Sequence, residues 1–108
     1  MKPIQTELGG KLAALLLEDA DYETMVPLFV KQLTSNTGQS CNVLSRMIVP
    51  IQDYNKVMEL AAATMQEEIV GDSRLNPEAT IGPLISQVQY DRVIGLIQQG
   101  IDETHWIG

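Results

Sequence analysis

Cys41 and Glu7 are the two residues of this sequence whose side chains and surroundings suggest chemistry. Cys41, the single cysteine, directly follows the polar, glycine-containing run Ser35-Asn36-Thr37-Gly38-Gln39-Ser40, and Glu7 stands just before Gly9-Gly10. A thiolate is a strong nucleophile, but a free thiol with a pKa near ~8.5 is only a few per cent ionised at neutral pH. Backbone N–H groups of the loop could stabilise both a thiolate and an oxyanion.

Each of these residues also has a plain structural interpretation. A lone cysteine is commonly a small buried apolar residue, and a glutamate beside two glycines is commonly an exposed acid. His105, the single histidine, lies beside Trp106 near the end of the chain, where a surface position is expected. One cysteine and one histidine cannot supply the usual ligands of a zinc ion, so no metal site is expected.

Composition limits the class of protein further. The chain has 108 residues, 44% of them apolar, and a net charge of −7 with scattered basic residues. This favours one globular domain and disfavours nucleic acid and anionic membranes as partners. The sequence has no apolar leader, and its longest apolar run, of six residues, is far shorter than the ~20 needed to span a bilayer. With no internal disulfide possible, we expect a cytoplasmic protein.

The elements that must position Cys41 and Glu7 follow from the periodicity. The apolar run from Leu12 to Leu17 predicts a strand buried on both faces. A helix capped by Asp21 follows, with a stripe of Met25, Phe29 and Leu33 widened by Val26, Val30 and Leu28. The run 46–51 predicts a second strand.

The second half of the chain predicts two helices and a long loop. Asp53 should cap a helix whose stripe is Val57, Ala61, Met65 and Ile69. The turn dipeptides of residues 71–85 predict an extended loop, and the Ser86-Gln87-Val88-Gln89 capping box opens a third helix. The order predicts an α/β fold with parallel strands and a right-handed crossover. Two short parallel strands leave edges unpaired, so we expect self-association.

Two motifs resemble the signatures of the aldehyde dehydrogenase superfamily. They are Thr6-Glu7-Leu8-Gly9-Gly10-Lys11 before the first strand and Asn36-Thr37-Gly38-Gln39-Ser40-Cys41 after the first helix. Their spacing, 34 residues from Glu7 to Cys41, is also that of the family. Further similar segments follow in order: Ser45-Arg46, Val70-Gly71-Asp72 and Ala79-Thr80-Ile81-Gly82-Pro83. The resemblance covers nearly the whole chain and implies part of a catalytic domain, residues 1–108.

The resemblance implies oxidation of an aldehyde to a carboxylate with NAD or NADP. Cys41 matches the nucleophile that forms a thiohemiacetal and then a thioester, and its backbone N–H matches one oxyanion donor. Glu7 matches the general base that activates the hydrolytic water. Glu7, Leu8 and Gly9 match the segment that passes the nicotinamide, and a glycine allows such a close approach. The implied partners are a small-molecule aldehyde and further copies of the chain, as a homo-oligomer.

Some features depart from the family pattern. Thr34 and Ser35 stand where aromatic residues generally shape the substrate pocket, so the aldehyde cannot be inferred. The family's dinucleotide-binding domain and its second oxyanion donor are not found in the sequence, so we expect this chain alone to be inactive. Two other interpretations stay open: a truncated, self-associating fragment without catalysis, and an acyltransferase that uses Cys41, for which His105 is the available histidine partner.

Overall fold

The computed structural model describes residues 2–6 and 8–103, and it confirms the α/β class with two parallel strands and three helices. Short 3-10 turns at Ser35–Gly38 and Ile51–Asp53 precede the second strand and the second helix. In chain order the strands and helices are β1 (Leu12–Leu15), α1 (Tyr22–Thr34), β2 (Leu44–Ile48), α2 (Tyr54–Gln66) and α3 (Gln87–Asp102).

The two strands are parallel neighbours, as the sequence predicts. Leu12 lies opposite Leu44 and Leu15 opposite Ile48, with an irregularity in register after Leu12. The Leu16 amide extends the ladder by donating to the Ile48 carbonyl at 3.0 Å. Since β1, α1 and β2 follow one another in the chain, the connection is a βαβ crossover, whose right hand stays a prediction.

The prediction that the first strand is buried on both faces is wrong. Ala14 and Leu16 are each 4% exposed, whereas Leu15 is 65% and Leu17 60% exposed. Successive side chains of a strand point to opposite faces of the sheet. The alternation therefore shows that the helices cover one face of β1 and leave the other to solvent.

Helix α1 begins where Asp21 predicts. The Asp21 carboxylate accepts from the Thr24 amide at 3.3 Å and from the Thr24 hydroxyl at 2.7 Å. The predicted stripe is displaced by one position, because Val26 and Val30, at 0% and 3% exposure, form the buried line. Met25 and Phe29 only flank this core. The closest neighbours of α1 are α2 and β2, so Val26 faces both.

Helix α2 differs from its prediction in two ways. Asp53 precedes the helix but makes no side-chain cap, because its carboxylate accepts a hydrogen bond from the Tyr22 hydroxyl instead. The buried positions are Val57 and Thr64, whereas Met65, placed in the stripe by its spacing, is 42% exposed. Ile69 lies beyond the end of the helix.

A buried tyrosine, Tyr22, connects the segments after β1 and before α2 to the start of α1. The Tyr22 hydroxyl lies 2.9 Å from the Leu17 carbonyl oxygen and 3.0 Å from Asp53 Oδ2. Burial, first, and then the hydrogen bond and charge of Asp53 raise the pKa of Tyr22. Lys56 lies 5.4 Å from the centre of the Tyr22 ring, a cation–π distance. The end of β1 and the starts of α1 and α2 are thereby fixed together.

Helix α3 stands apart from this core. Ser86 caps it as predicted, accepting from the Gln89 amide at 3.3 Å, but none of its residues is buried. The chain as a whole has 8821 Å² of accessible surface, against about 6000 Å² for a compact monomer of its mass. The excess shows that much of its apolar surface is left uncovered by the chain itself.

Candidate active site

Cys41 and Gly9 meet at the edge of the sheet where both strands begin. Cys41 is exposed, in the turn that leads into β2, and Gly9 lies just before β1. Because the strands are parallel neighbours, the residues that precede them lie side by side. The topology therefore brings the two motifs together, although they lie far apart in the sequence.

The approach of Gly9 to Cys41 leaves little room for a side chain. A Cβ on Gly9 would lie 3.1 Å from the Cys41 carbonyl oxygen and 3.7 Å from Cys41 Cβ. A contact of 3.1 Å is tighter than nine in ten real Cβ contacts, so a residue larger than glycine would press on the backbone of Cys41. This is a physical reason for Gly9 that does not involve a nicotinamide.

The structure says less about the other predicted residues. Glu7, the candidate base, lies outside the described residues, as do His105 and Trp106. Leu8 is 86% exposed at the same edge of the sheet. Their predicted contacts with a cofactor therefore stay predictions.

The loop before Cys41 has an unusual backbone. Asn36, Thr37 and Gly38 are consecutive left-handed residues, with φ values of 50°, 59° and 70°. Left-handed backbone is costly for residues with a Cβ and persists where the surroundings hold it. The sequence predicted a polar break here but not this conformation.

Two side chains fasten this loop to the segment before α3. The Thr37 hydroxyl donates to the Gly82 carbonyl at 3.2 Å, and Gln39 Oε1 accepts from the Ile85 amide at 3.0 Å. Within the loop, Asn36 Nδ2 donates to Ser40 Oγ at 3.4 Å. Residues 82–85 therefore support the loop before Cys41, a role that sequence reasoning missed because no local pattern signals it.

An open apolar groove of about 490 Å³ lies between this loop and α3. Thr37 and Gly82 line one part, and Val70 and Tyr90 line another. Its lining includes no lysine or arginine, so it is better suited to apolar groups than to the phosphates of a dinucleotide.

Comparison with known proteins decides the family. The model of the aldehyde dehydrogenase family matches residues 1–107. The chain belongs to the aldehyde dehydrogenase family. It is 45% identical over 103 residues to 3-succinoylsemialdehyde-pyridine dehydrogenase of Pseudomonas sp., covering 95% of this chain and 21% of that protein. It is 38% identical over 102 residues to benzaldehyde dehydrogenase of Bacillus subtilis, covering 94% of this chain and 21% of the relative.

Solved aldehyde dehydrogenases share the fold. A mutant of aldehyde dehydrogenase C from Pseudomonas syringae, complexed with NAD+ and octanal, superposes with a TM-score of 0.85 at 41% identity. An aldehyde dehydrogenase of Mycobacterium tuberculosis, complexed with NAD+, gives 0.85 at 39% identity. Each match covers 91% of this chain and 20% of the solved chain. The aldehyde dehydrogenase chain thus spans about one fifth of the length of the relatives it matches.

Two kinds of feature are absent from the described part of this aldehyde dehydrogenase chain. Within residues 2–6 and 8–103, no helix is long and apolar enough to cross a membrane. In the same ranges, no group of three or more His, Cys, Asp or Glu side chains is arranged to hold a metal ion.

Proposed function

We propose that this chain supplies the nucleophile and the base of an aldehyde dehydrogenase that oxidises an aldehyde to a carboxylate with NAD or NADP. The contact between Gly9 and Cys41 is the observation that carries the proposal. It puts Gly9, two residues after Glu7 in the sequence, against the residue that would hold the acyl group. In a family member, neighbouring base and nucleophile segments are what thioester hydrolysis needs.

Cys41 has the first role. Its thiolate attacks the aldehyde carbonyl carbon and forms a thiohemiacetal, while the Cys41 N–H donates to the developing oxyanion. A bound nicotinamide would supply the acceptor for the hydride of the thiohemiacetal carbon. A thioester on Cys41 remains.

Glu7 has the second role. Its carboxylate takes a proton from a water molecule, whose oxygen attacks the thioester carbon. The carboxylic acid product leaves with the Cys41 thiolate restored and gives its own proton to solvent. Leu8 and Gly9, both exposed, would border the nicotinamide. We further propose that residues 1–108 form part of the catalytic domain and that the enzyme acts in the cytoplasm as a homo-oligomer.

A non-catalytic fragment is the second candidate, and the exposed surface favours it for the chain alone. Holding a nicotinamide next to the reacting carbon can supply ~7 to 11 kcal/mol of the barrier. The groove between the Cys41 loop and α3 has no lysine or arginine to hold a dinucleotide's phosphates. The acyltransferase interpretation has less support, since its histidine partner, His105, lies outside the described residues.

A chimaera tests the proposal. The matching segment of full-length 3-succinoylsemialdehyde-pyridine dehydrogenase is replaced by residues 1–107 of this chain, and NADH formation is followed with that enzyme's aldehyde. We expect activity in the chimaera and none in the isolated chain. Cys41→Ser should abolish it, and Glu7→Gln should slow turnover ~10²- to 10⁴-fold.

The control is Glu59→Gln, an exposed carboxylate on α2 that should leave turnover unchanged. Full activity of the Cys41→Ser chimaera would contradict the assigned nucleophile. NADH formation by the isolated chain, lost in Cys41→Ser, would show instead that the chain assembles a complete site by itself.

A further inference from the structure

Arg46 makes a contact that the reaction outlined above does not use. Its Nε and Nη2 groups donate to the same backbone oxygen, that of Lys11, at 3.0 and 2.6 Å. Hydrogen bonds from a guanidinium are charge-assisted and stronger than neutral ones. Two donors from one rigid fork also fix the direction of that carbonyl.

The carbonyl belongs to a turn that needs support. Gly10 and Lys11 both have left-handed backbone, with φ values of 108° and 57°. Lys11 carries a Cβ and is sterically strained in this conformation, and strained residues persist where surrounding contacts hold them. The Arg46 fork is such a contact, and it acts where the chain turns from the Gly9 segment into β1.

The strand that carries Arg46 is itself irregular at this point. Leu12 pairs with Leu44, but the next residue, Ala13, pairs with Arg46, so Ser45 is an extra residue on β2. A bulge changes the direction of the side chains that follow it, and bulges are frequent beside functional sites. The irregularity therefore coincides with the residue whose side chain reaches back to Lys11.

These contacts connect the two motifs of the candidate active site at two points. Arg46 lies five residues after Cys41 and holds Lys11, and Gly9, two residues before Lys11, packs on the Cys41 carbonyl. We propose that Arg46 is a positioning residue that fixes the 8–11 segment relative to Cys41. The inference rests on the proposed function for the roles of Glu7 and Cys41, but the fixing of the segment does not.

The first test measures the segment directly in the 108-residue chain. Amide hydrogen exchange is compared in the unaltered chain, Arg46→Met and Arg46→Lys, with Arg74→Met as the control. Arg74 is exposed and pairs with the side chain of Asp72 rather than with the 8–11 segment. We expect faster exchange at residues 8–11 in Arg46→Met, partial recovery in Arg46→Lys, and no change in α2. Unchanged exchange at residues 8–11 would overturn the inference.

The second test measures the chemistry without a cofactor, using p-nitrophenyl acetate. The Cys41 thiolate attacks the ester carbon, p-nitrophenolate leaves, and an acetyl thioester forms. Water then attacks the thioester and Glu7 takes one of its protons. Acetic acid leaves with the thiolate restored and gives its proton to solvent. Mass spectrometry of the intact chain follows the lifetime of the acetyl group, and Cys41→Ser verifies where it forms.

The two proposals give different results in this assay. We expect Glu7→Gln and Arg46→Met each to prolong the acetyl lifetime, Arg46→Met by up to ~10²-fold, with Arg46→Lys intermediate. The double variant should be no slower than Glu7→Gln alone. A long lifetime in Glu7→Gln with an unchanged one in Arg46→Met would overturn the role of Arg46 and leave the proposed function standing.

The reverse failure is also recognisable. Equal lifetimes in Glu7→Gln and the unaltered chain would contradict the proposed role of Glu7. The exchange of residues 8–11 would then still support or overturn the fixing of the segment by Arg46. Circular dichroism of Arg46→Met separates either result from loss of folding, and Arg46→Lys provides a second variant that retains one charged donor.

Discussion

Helices α2 and α3 are both amphipathic, yet they have opposite fates in this chain. Helix α2 buries Val57 and Thr64 against the core, with Val57 at 5% exposure. Helix α3 presents an equally regular apolar stripe, but Ile94 is 46% and Ile97 53% exposed. An amphipathic pattern predicts that a helix forms and which side is apolar. It does not say whether the partner of that side lies in the same chain.

The connections explain the difference. Helix α2 follows β2 after one short 3-10 turn and packs on α1, which the crossover has already placed. Helix α3 follows the long loop 71–85, which is ordered by its own contacts. The Gly71 amide donates to the Ile81 carbonyl at 2.9 Å, and Arg74 pairs with Asp72 at 2.6 Å. The loop carries α3 away from the core instead of returning it.

The largest difference should appear when a charge is placed in the core between α1 and α2 and, separately, on the apolar side of α3. Val26→Asp puts a carboxylate at the most buried position of the core, and we expect a loss of more than about 4 kcal/mol in the free energy of unfolding. Ile97→Asp, at an exposed position of α3, should change it by about 0.5 kcal/mol or less.

Urea denaturation followed by far-ultraviolet circular dichroism measures both variants at low micromolar concentration. Val26→Ala supplies a milder variant if Val26→Asp does not fold. A loss of several kcal/mol in Ile97→Asp would show that α3 does pack on the core in solution, and the contrast between the helices would then fail.

Self-association should give the second effect. The apolar side of α3 is exposed, so its burial against another copy of the chain should be favourable. Burial of one isoleucine side chain contributes about 1.5–3 kcal/mol. We therefore expect the chain to associate and Ile97→Asp to weaken association at least about tenfold. Sedimentation velocity over a concentration series measures this, with Glu59→Gln as the control. A compact monomer at high micromolar concentration would contradict the prediction.

The sequence predicts the elements better than it predicts their burial. The Asp21 and Ser86 caps, the parallel strands and the 71–85 loop follow from local residue types, and the structure confirms them. The strand face, the buried line of α1 and the role of Asp53 depend on what packs against each element. Local spacing carries no such information, because a carboxylate before a helix can bond the backbone or a distant hydroxyl equally well.

The candidate site shows the same division. The resemblance of two motifs predicts Cys41 and the Glu7–Gly9 segment, and the structure brings Gly9 to Cys41. Contacts across long sequence distances were not predicted: Thr37 to Gly82, Gln39 to Ile85, and Arg46 to Lys11. Each joins a side chain to a backbone group, and any residue offers a backbone group, so no pairing pattern appears in the sequence.

The smallest effect should come from two glycines, one on each side of the comparison. A Cβ added at Gly95 would meet nothing within 4 Å, so Gly95→Ala should favour α3 by about 0.5–1 kcal/mol through helix propensity. Because α3 is not buried on the core, this should appear as added helical ellipticity in the far ultraviolet while the urea midpoint of the core stays unchanged. Gly9→Ala should act in the opposite sense and lower the urea midpoint slightly, because its Cβ would lie 3.1 Å from the Cys41 carbonyl oxygen and press on the loop that carries Cys41. A rise in the urea midpoint with Gly95→Ala would mean that α3 and the core unfold together. The view that they are two independent regions would then be wrong.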